Sequence, residues 1–311
     1  MSEKYFITGA TGLVGAALTE RLVHDGEDVT VYVRDVAKAE KMFGHLSQLS
    51  IVAGSLEGSI SYDNEVDYIV HGAAPTDSTF FMEQPVETID SIVLGTKSIL
   101  ELARQKQVKS VVNLSSMEVY GTPTNEEDLT EDQQFYLDPL NIRSDYPMAK
   151  RLAENMCVAY AAEYKVPVKT ARLAQVLGKK LLPDDNRVIA QFIRAAQSRA
   201  DIELATDGKT KQTYIGIDDC INGILTILHE GESGQAYNVA NASTYCSIHD
   251  LAELVANELA DGGINVNVNA SSDSGKYPPN RTLRVNSNKL RSLGWQPQTN
   301  LSEALKILAN S

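Results

Sequence analysis

The chain has 311 residues, 43% of them hydrophobic and 22% charged, which is long enough for one large core and a smaller companion. A formal net charge of −13 repels phosphate backbones and anionic headgroups, so neither nucleic acid nor a membrane surface is expected as a partner. The three cysteines lack CxxC spacing and the histidines lack an i, i+4 pair, so neither a disulfide framework nor a metal site is expected. The amino terminus carries no basic segment followed by an apolar one, and no apolar run reaches membrane-spanning length, so the expected location is cytoplasmic.

In chain order, Tyr5–Thr8 reads as a first strand and Val14–His24 as an amphipathic helix. Val29–Val33 follows as a strand, then a weaker one at Leu49–Val52 and a clear one at Val66–Val70. Thr88–Gln105 reads as a helix and Ser110–Leu114 as the next strand. These strands are β-branched and nearly continuous, as expected when both faces are buried. Their alternation with helices predicts a doubly wound parallel α/β sheet. Gly121–Asp145 is a long acidic connection of the functional kind. Beyond it, Asn186–Arg199, Ile217–His229, Ile248–Leu259 and Leu301–Leu308 read as helices, and Ala236–Val239 as a strand. The predicted organisation is a dinucleotide-binding domain over 1–175, with returns near 213–240. A smaller mixed α/β substrate domain over 176–311 closes on the carboxyl edge of the sheet.

The first strand runs into Gly9-Ala10-Thr11-Gly12-Leu13-Val14-Gly15. Gly9 permits a tight turn, Gly12 lets a pyrophosphate approach the helix amino terminus, and Gly15 lets the helix pack on the strand. Thr11, Leu13 and Val14 belong to the same cofactor loop. At the tip of the second strand stands Val33, which accepts no hydrogen bond, followed by Arg34 and Asp35. A guanidinium beside the adenosine ribose suits a 2′-phosphate, so NADP is favoured and NAD stays compatible.

Tyr146-Pro147-Met148-Ala149-Lys150 places a phenol and an ammonium on one helix face, about 6 Å apart. Pro147 suits a first helical turn, with Ser144 or Asp145 as cap. A lysine charge is expected to lower the Tyr146 pKa toward neutrality. Ser115 and Ser116 end a buried strand, where ligands of doubly wound sheets bind. Ser116 is positioned to hold a substrate oxygen beside Tyr146, and Ser115 is a candidate substrate contact.

Together, the glycine loop, His71-Gly72-Ala73-Ala74, Ser115–Gly121, Tyr146–Lys150, Ala171–Gly178 and Leu293–Pro297 resemble the extended short-chain dehydrogenases of the NAD-dependent epimerase/dehydratase family. The resemblance covers nearly the whole chain and implies a Rossmann fold. It implies a Ser116–Tyr146–Lys150 triad, with Lys150 on the nicotinamide ribose, Ala73 against the cofactor and a nucleotide-linked sugar oxidised at C4. It also implies a base or orienting role for Glu118, and a homodimer built on two helices from each subunit. The acid that sugar dehydratases carry one residue before that glutamate is here Met117, so epimerisation or keto reduction is expected over dehydration. For the sugar nucleotide, Gln175 stands where the family has an asparagine, and Gln212 and Lys276 stand where it has arginines, with Arg281 and Arg284 near the last. Arg187 is expected to compensate for the missing arginine. Ile92 replaces the asparagine expected before Gly95 and Thr96. A second reading is an NADPH-dependent reductase of a small non-nucleotide carbonyl. A third, a non-catalytic dinucleotide sensor, is disfavoured by the intact triad.

Overall fold

The computed structural model describes residues 2–178, 185–269 and 280–310. The first half runs β1 (Lys4–Thr8), α1 (Leu13–His24), β2 (Asp28–Val33), α2 (Val36–Phe43), β3 (Leu49–Ala53), β4 (Tyr68–His71), α3 (Ser78–Glu83), α4 (Pro85–Lys106), β5 (Ser110–Ser116), α5 (Asp145–Tyr164) and β6 (Val168–Leu173). The second half runs β7 (Gln175–Leu177), α6 (Val188–Gln197), β8 (Ile202–Leu204), β9 (Lys211–Gly216), α7 (Ile217–Glu230), β10 (Ala236–Val239), β11 (Asn241–Ser247), α8 (Ile248–Ala260), β12 (Val266–Val268), β13 (Thr282–Leu283), α9 (Asn288–Arg291) and α10 (Leu301–Ala309).

Seven strands form one parallel sheet in the order β10-β6-β5-β4-β1-β2-β3. The order reverses between β1 and β4, and a crevice opens at the carboxyl ends of such a pair. One face of the sheet packs a core that includes Leu18 and Leu22 of α1, Ile224 and Ile227 of α7, and Trp295. The other face buries Ile99 and Leu102 of α4 and Cys157 of α5. Each such aliphatic side chain contributes about 2 kcal/mol by leaving water. A separate core, with Phe192, Ile193, Leu251, Val255 and Leu305, belongs to α6, α8 and α10. There β9 pairs antiparallel with β11, while β13 and β7 follow one another along its other edge. The chain crosses between the two cores more than once, because β10 returns to the large sheet after β9 has joined the small one. Among the described residues, no helix is long and apolar enough to cross a membrane.

The crevice is set by backbones that leave no room for side chains. Gly9 has φ +73, and a Cβ there would lie 2.5 Å from the Gly72 backbone at the end of β4. A Cβ on Gly15 would lie 2.2 Å from the Gly9 carbonyl oxygen. We therefore expect Gly15→Ala to cost about 2 kcal/mol or more, read as a fall of several degrees in Tm. An unchanged Tm would contradict this account of the α1–β1 packing.

Candidate active site

At the crevice, α1 begins at Gly12, which caps it without any side-chain hydrogen bond. Backbone N–H groups are thus left for an anion at the helix amino terminus, and the bare Gly9–Gly15 turn admits a pyrophosphate. Leu13 packs toward Gly178, while Val14 joins the core beneath the loop. Thr11 and Ala73 are half-buried beside this turn. At the β2 tip Val33 is buried and Arg34 exposed. Asp35 is engaged locally, accepting the Lys38 backbone N–H at 2.9 Å to cap α2.

The three residues expected as a triad, Ser116, Tyr146 and Lys150, lie where β5 ends and α5 begins. Asp145 accepts the Tyr146 backbone N–H, and Pro147 follows in the first turn, so α5 starts at the β5 terminus. Ser116 lies close enough to the Tyr146 hydroxyl to affect its titration and also caps the turn over Met117–Tyr120. The Lys150 Nζ donates to the Leu114 carbonyl at 2.8 Å and lies 5.9 Å from the Tyr146 ring centre. Behind the phenol, Phe81 stacks on its ring at 4.5 Å, with Ile92, Ala149 and Ala153 completing an apolar wall. Ile92 thus occupies the asparagine position with hydrocarbon.

Electrostatics here differ from the sequence expectation. Burial pushes the Tyr146 phenol well above its ordinary value, Glu118 adds to this, and the Ser116 hydrogen bond opposes it. Lys150 was expected to lower that phenol and does not. Burial acts on the lysine as well, pushing its ammonium down to about 8 against the opposing charge of Glu154. Without a bound cofactor the Tyr146 phenol is therefore held in its neutral form. His71, buried and bonded to Thr8 at 2.7 Å, is held neutral by burial, with Lys150 adding to the effect.

Glu118 faces Arg281, with Nη2 to Oε1 at 2.7 Å. Burial alone would raise this carboxyl, but Arg281 and then Arg143 overcome it and hold it below the usual carboxylate range. The Arg143 guanidinium lies over the other partner of the stack, 5.6 Å from the Phe81 ring centre. Its buried Nη1 has no hydrogen-bond partner among the described residues. An orphaned guanidinium N–H costs about 1–3 kcal/mol unless something accepts from it.

Several expected substrate contacts lie elsewhere. Adjacent strand residues point to opposite faces, so Ser116 faces Tyr146 while Ser115 turns away and donates to Glu154 at 2.6 Å. Arg187 is already engaged, its fork on Asp185 and its Nη1 on the Val176 carbonyl, and so ties α6 to β7. Gln212 donates to the Tyr214 hydroxyl within β9. Gln175 opens β7, just past Leu173, which pairs with Ser116. Lys276 lies outside the described residues. The cation delivered to Glu118 is Arg281, seated beside β9 by the Lys211 N–H donating to its carbonyl. Phe81 and Arg143 were not anticipated, although Arg143 stands only three residues before Tyr146.

The sequence profile of the NAD dependent epimerase/dehydratase family matches residues 5–240. The chain belongs to that family and is an enzyme of its type. A UDP-glucuronic acid decarboxylase 1 from Xenopus tropicalis is 28% identical over 307 residues, spanning 97% of this chain and 70% of that protein. Among solved structures, the fold matches a Thermotoga maritima UDP-glucose 4-epimerase in complex with UDP-glucose, with a TM-score of 0.85 at 19% identity, covering 99% of this chain and 97% of that one. It also matches a Bacillus cereus UDP-glucuronic acid 4-epimerase in complex with NAD and a fluorinated UDP-glucuronic acid, with a TM-score of 0.82 at 18% identity, covering 99% and 98%. The preference for epimerisation or keto reduction over dehydration finds no support in these relatives. Met117 itself is buried in the core.

Lys150 yields a stability prediction. Its folded value near 8 lies below the ordinary 10.5, so the unfolded chain holds the proton more tightly and stability rises with pH across that window. The charged form costs roughly 3 kcal/mol below it. Lys150→Met should therefore raise Tm by a few degrees at neutral pH, and the gain should vanish as pH approaches 10.5. A lower Tm at neutral pH would contradict this balance.

Proposed function

We propose that this chain binds NADP in preference to NAD and acts on a nucleotide-linked sugar, oxidising it transiently at C4. We further propose that the sugar carries a carboxylate and that the net reaction is decarboxylation of a nucleotide uronate. The observation that carries the second reading is the charge around Tyr146. Arg281 and Arg143 both act on the Glu118 carboxylate, and the buried Arg143 Nη1 is unpaired. An unpaired guanidinium N–H of this kind suits an anionic group on the sugar itself. The similarity to UDP-glucuronic acid decarboxylases supports the same reading.

A nicotinamide held at the crevice supplies the hydride acceptor and, when oxidised, a positive charge that favours the phenolate. Tyr146 takes the proton of the C4 hydroxyl and returns it, while Ser116 orients that oxygen. Lys150 holds the ribose side and keeps cationic charge beside the phenol. The sugar then carries a ketone β to its carboxylate. The bond to the carboxyl carbon breaks, and its electron pair flows onto the ketone oxygen, which Tyr146 protonates. Carbon dioxide leaves, a proton replaces it, and the hydride returns to C4, so the cofactor is not consumed. Glu118, fixed by Arg281, is the group placed to direct protons on this side of the sugar.

Arg34 supports the cofactor choice, because it is exposed at the ribose end while Asp35 is spent on capping α2. The smaller domain, mainly 176–311, is read as the sugar-nucleotide domain, with Gln175 reaching a phosphate or ribose. Apolar residues left exposed on the paired helices, Val86, Ile89 and Leu94 of α4 and Leu152 and Val158 of α5, support a homodimer through a four-helix interface.

The test is a panel of UDP-, dTDP-, GDP- and CDP-linked sugars, each neutral and as the uronate, followed by product and carbon dioxide analysis. Decarboxylation of a uronate without net cofactor use is expected, and Tyr146→Phe should reduce it at least ~100-fold. Turnover of neutral sugars alone would sink the carboxylate reading. Stoichiometric NADPH consumption with simple carbonyls would replace the whole reading by a reductase. For the cofactor, Arg34→Ala should weaken NADP binding about tenfold and leave NAD nearly unchanged, and equal losses for both would remove the NADP preference.

A further inference from the structure

One turn along α5 from Lys150 stands Glu154, whose carboxylate is almost wholly enclosed. The Arg172 guanidinium grips it as a fork, with Nη2 to Oε2 at 2.8 Å and Nε to Oε1 at 3.1 Å. Ser115 donates to the same Oε1 at 2.6 Å. The remaining Arg172 nitrogen reaches the Tyr120 hydroxyl at 3.2 Å and the Glu131 carbonyl at 3.0 Å. Tyr120 in turn donates to Asn238 of β10 at 2.7 Å. The Ser115 arm of this network ends on β5, the strand that carries Leu114 and Ser116. Ser115 lies between Leu114, whose carbonyl holds Lys150, and Ser116, which neighbours the Tyr146 hydroxyl.

We propose that Glu154 is a positioning residue for the reaction: clamped by Arg172 and Ser115, it locks the end of β5 against α5 and so fixes Lys150 on the Leu114 carbonyl. The inference rests on the reading of Lys150 as the residue that holds the nicotinamide ribose. Glu154 also acts by charge, since its carboxylate opposes the burial that pushes the Lys150 ammonium down. A buried fork that served folding alone would be replaceable by matched uncharged groups. Its coupling to Lys150 predicts a functional readout as well.

The ionisable groups around Lys150 separate cleanly. On α5 these are Tyr146 and Cys157, both pushed up by burial, the thiol to about 12. On β4 it is His71, pushed down to about 3. Arg172 on β6 is raised further, and Glu118 beyond the β5 end is lowered. The buried face of α4, which includes Thr88, Ile92, Gly95, Thr96 and Ile99, carries no ionisable side chain. Lys150 is thus the group of this cluster that changes charge near pH 8.

The experiment measures NADPH binding by nicotinamide fluorescence from about pH 6 to pH 10, where a buried lysine titrates. Wild-type affinity should weaken with a midpoint near 8. Glu154→Gln should move that midpoint down by about one unit, and Glu154→Asp, which keeps the charge, should restore it. With UDP-glucuronate, Glu154→Gln should lower kcat about tenfold and leave KM within about twofold, because the sugar site is untouched. Superimposed binding profiles for Glu154→Gln and wild type, whatever the Tm, would overturn the proposal and leave a purely structural ion pair. Should Glu154→Gln fail to fold, Glu154→Gln with Arg172→Gln removes both buried charges. Arg172 does not figure among the groups that move Lys150, so the paired variant should show the same downward midpoint. A shifted profile in a protein that turns over no nucleotide sugar would overturn the proposed reaction and support this inference. Turnover with superimposed profiles would do the reverse.

Discussion

A buried ammonium on a strand-end carbonyl is the constraint from which the site follows. Lys150 reaches the Leu114 oxygen only because α5 starts directly over the end of β5 and runs back along the sheet. The charge is costly to bury, and the fold accepts that cost where it borders both the crevice and the phenol. Once Lys150 is placed, Tyr146 lies one turn earlier on the same face, and Ser116 meets it from the next strand residues. The acid–base group is thus assembled from two elements in register.

The same junction explains why the neighbouring charges take the positions they do. Arg281 arrives from the smaller sheet, through β13 alongside β9, and pairs with Glu118 across the mouth of the site. Arg143 arrives from the turn that precedes α5 and lies over Phe81, which itself backs the phenol. Cations from separate parts of the chain therefore converge on one region. The unpaired Arg143 N–H among them is the physical basis for reading the substrate as acidic.

The β1–α1–β2 unit and the helix of Tyr146 were legible in the sequence because local rules determine them. Continuous β-branched runs, a glycine loop and a proline in the first helical turn each act within a few residues. The predicted first-half helices and strands accordingly lie within a few residues of their expected bounds, whereas α2, α3 and β6 were not predicted. The smaller sheet was not legible. Its strands are short, and each depends on partners far along the chain, as when β9 joins β7, β11 and β13. The errors at the site have the same origin. Ser115 was mistaken for a substrate contact although strand alternation already placed it opposite Ser116. The pairing of Arg281 with Glu118 was not foreseen, because spacing from Leu293-Gly294-Trp295 cannot show which cation the β9 edge delivers. The Tyr146 phenol was expected to fall because helical spacing shows the nearby lysine but hides the apolar wall of Phe81 and Ile92.

The central claim is that these residues carry a sugar through a transient ketone while the cofactor stays bound. Rapid mixing of the NADP-loaded protein with UDP-glucuronate, followed by the fluorescence of reduced nicotinamide, tests it most directly. The account predicts a rise that decays within the turnover as the hydride returns, leaving the cofactor oxidised at the end. A flat trace during measurable product formation, or a rise that persists with stoichiometric reduced cofactor, would contradict it.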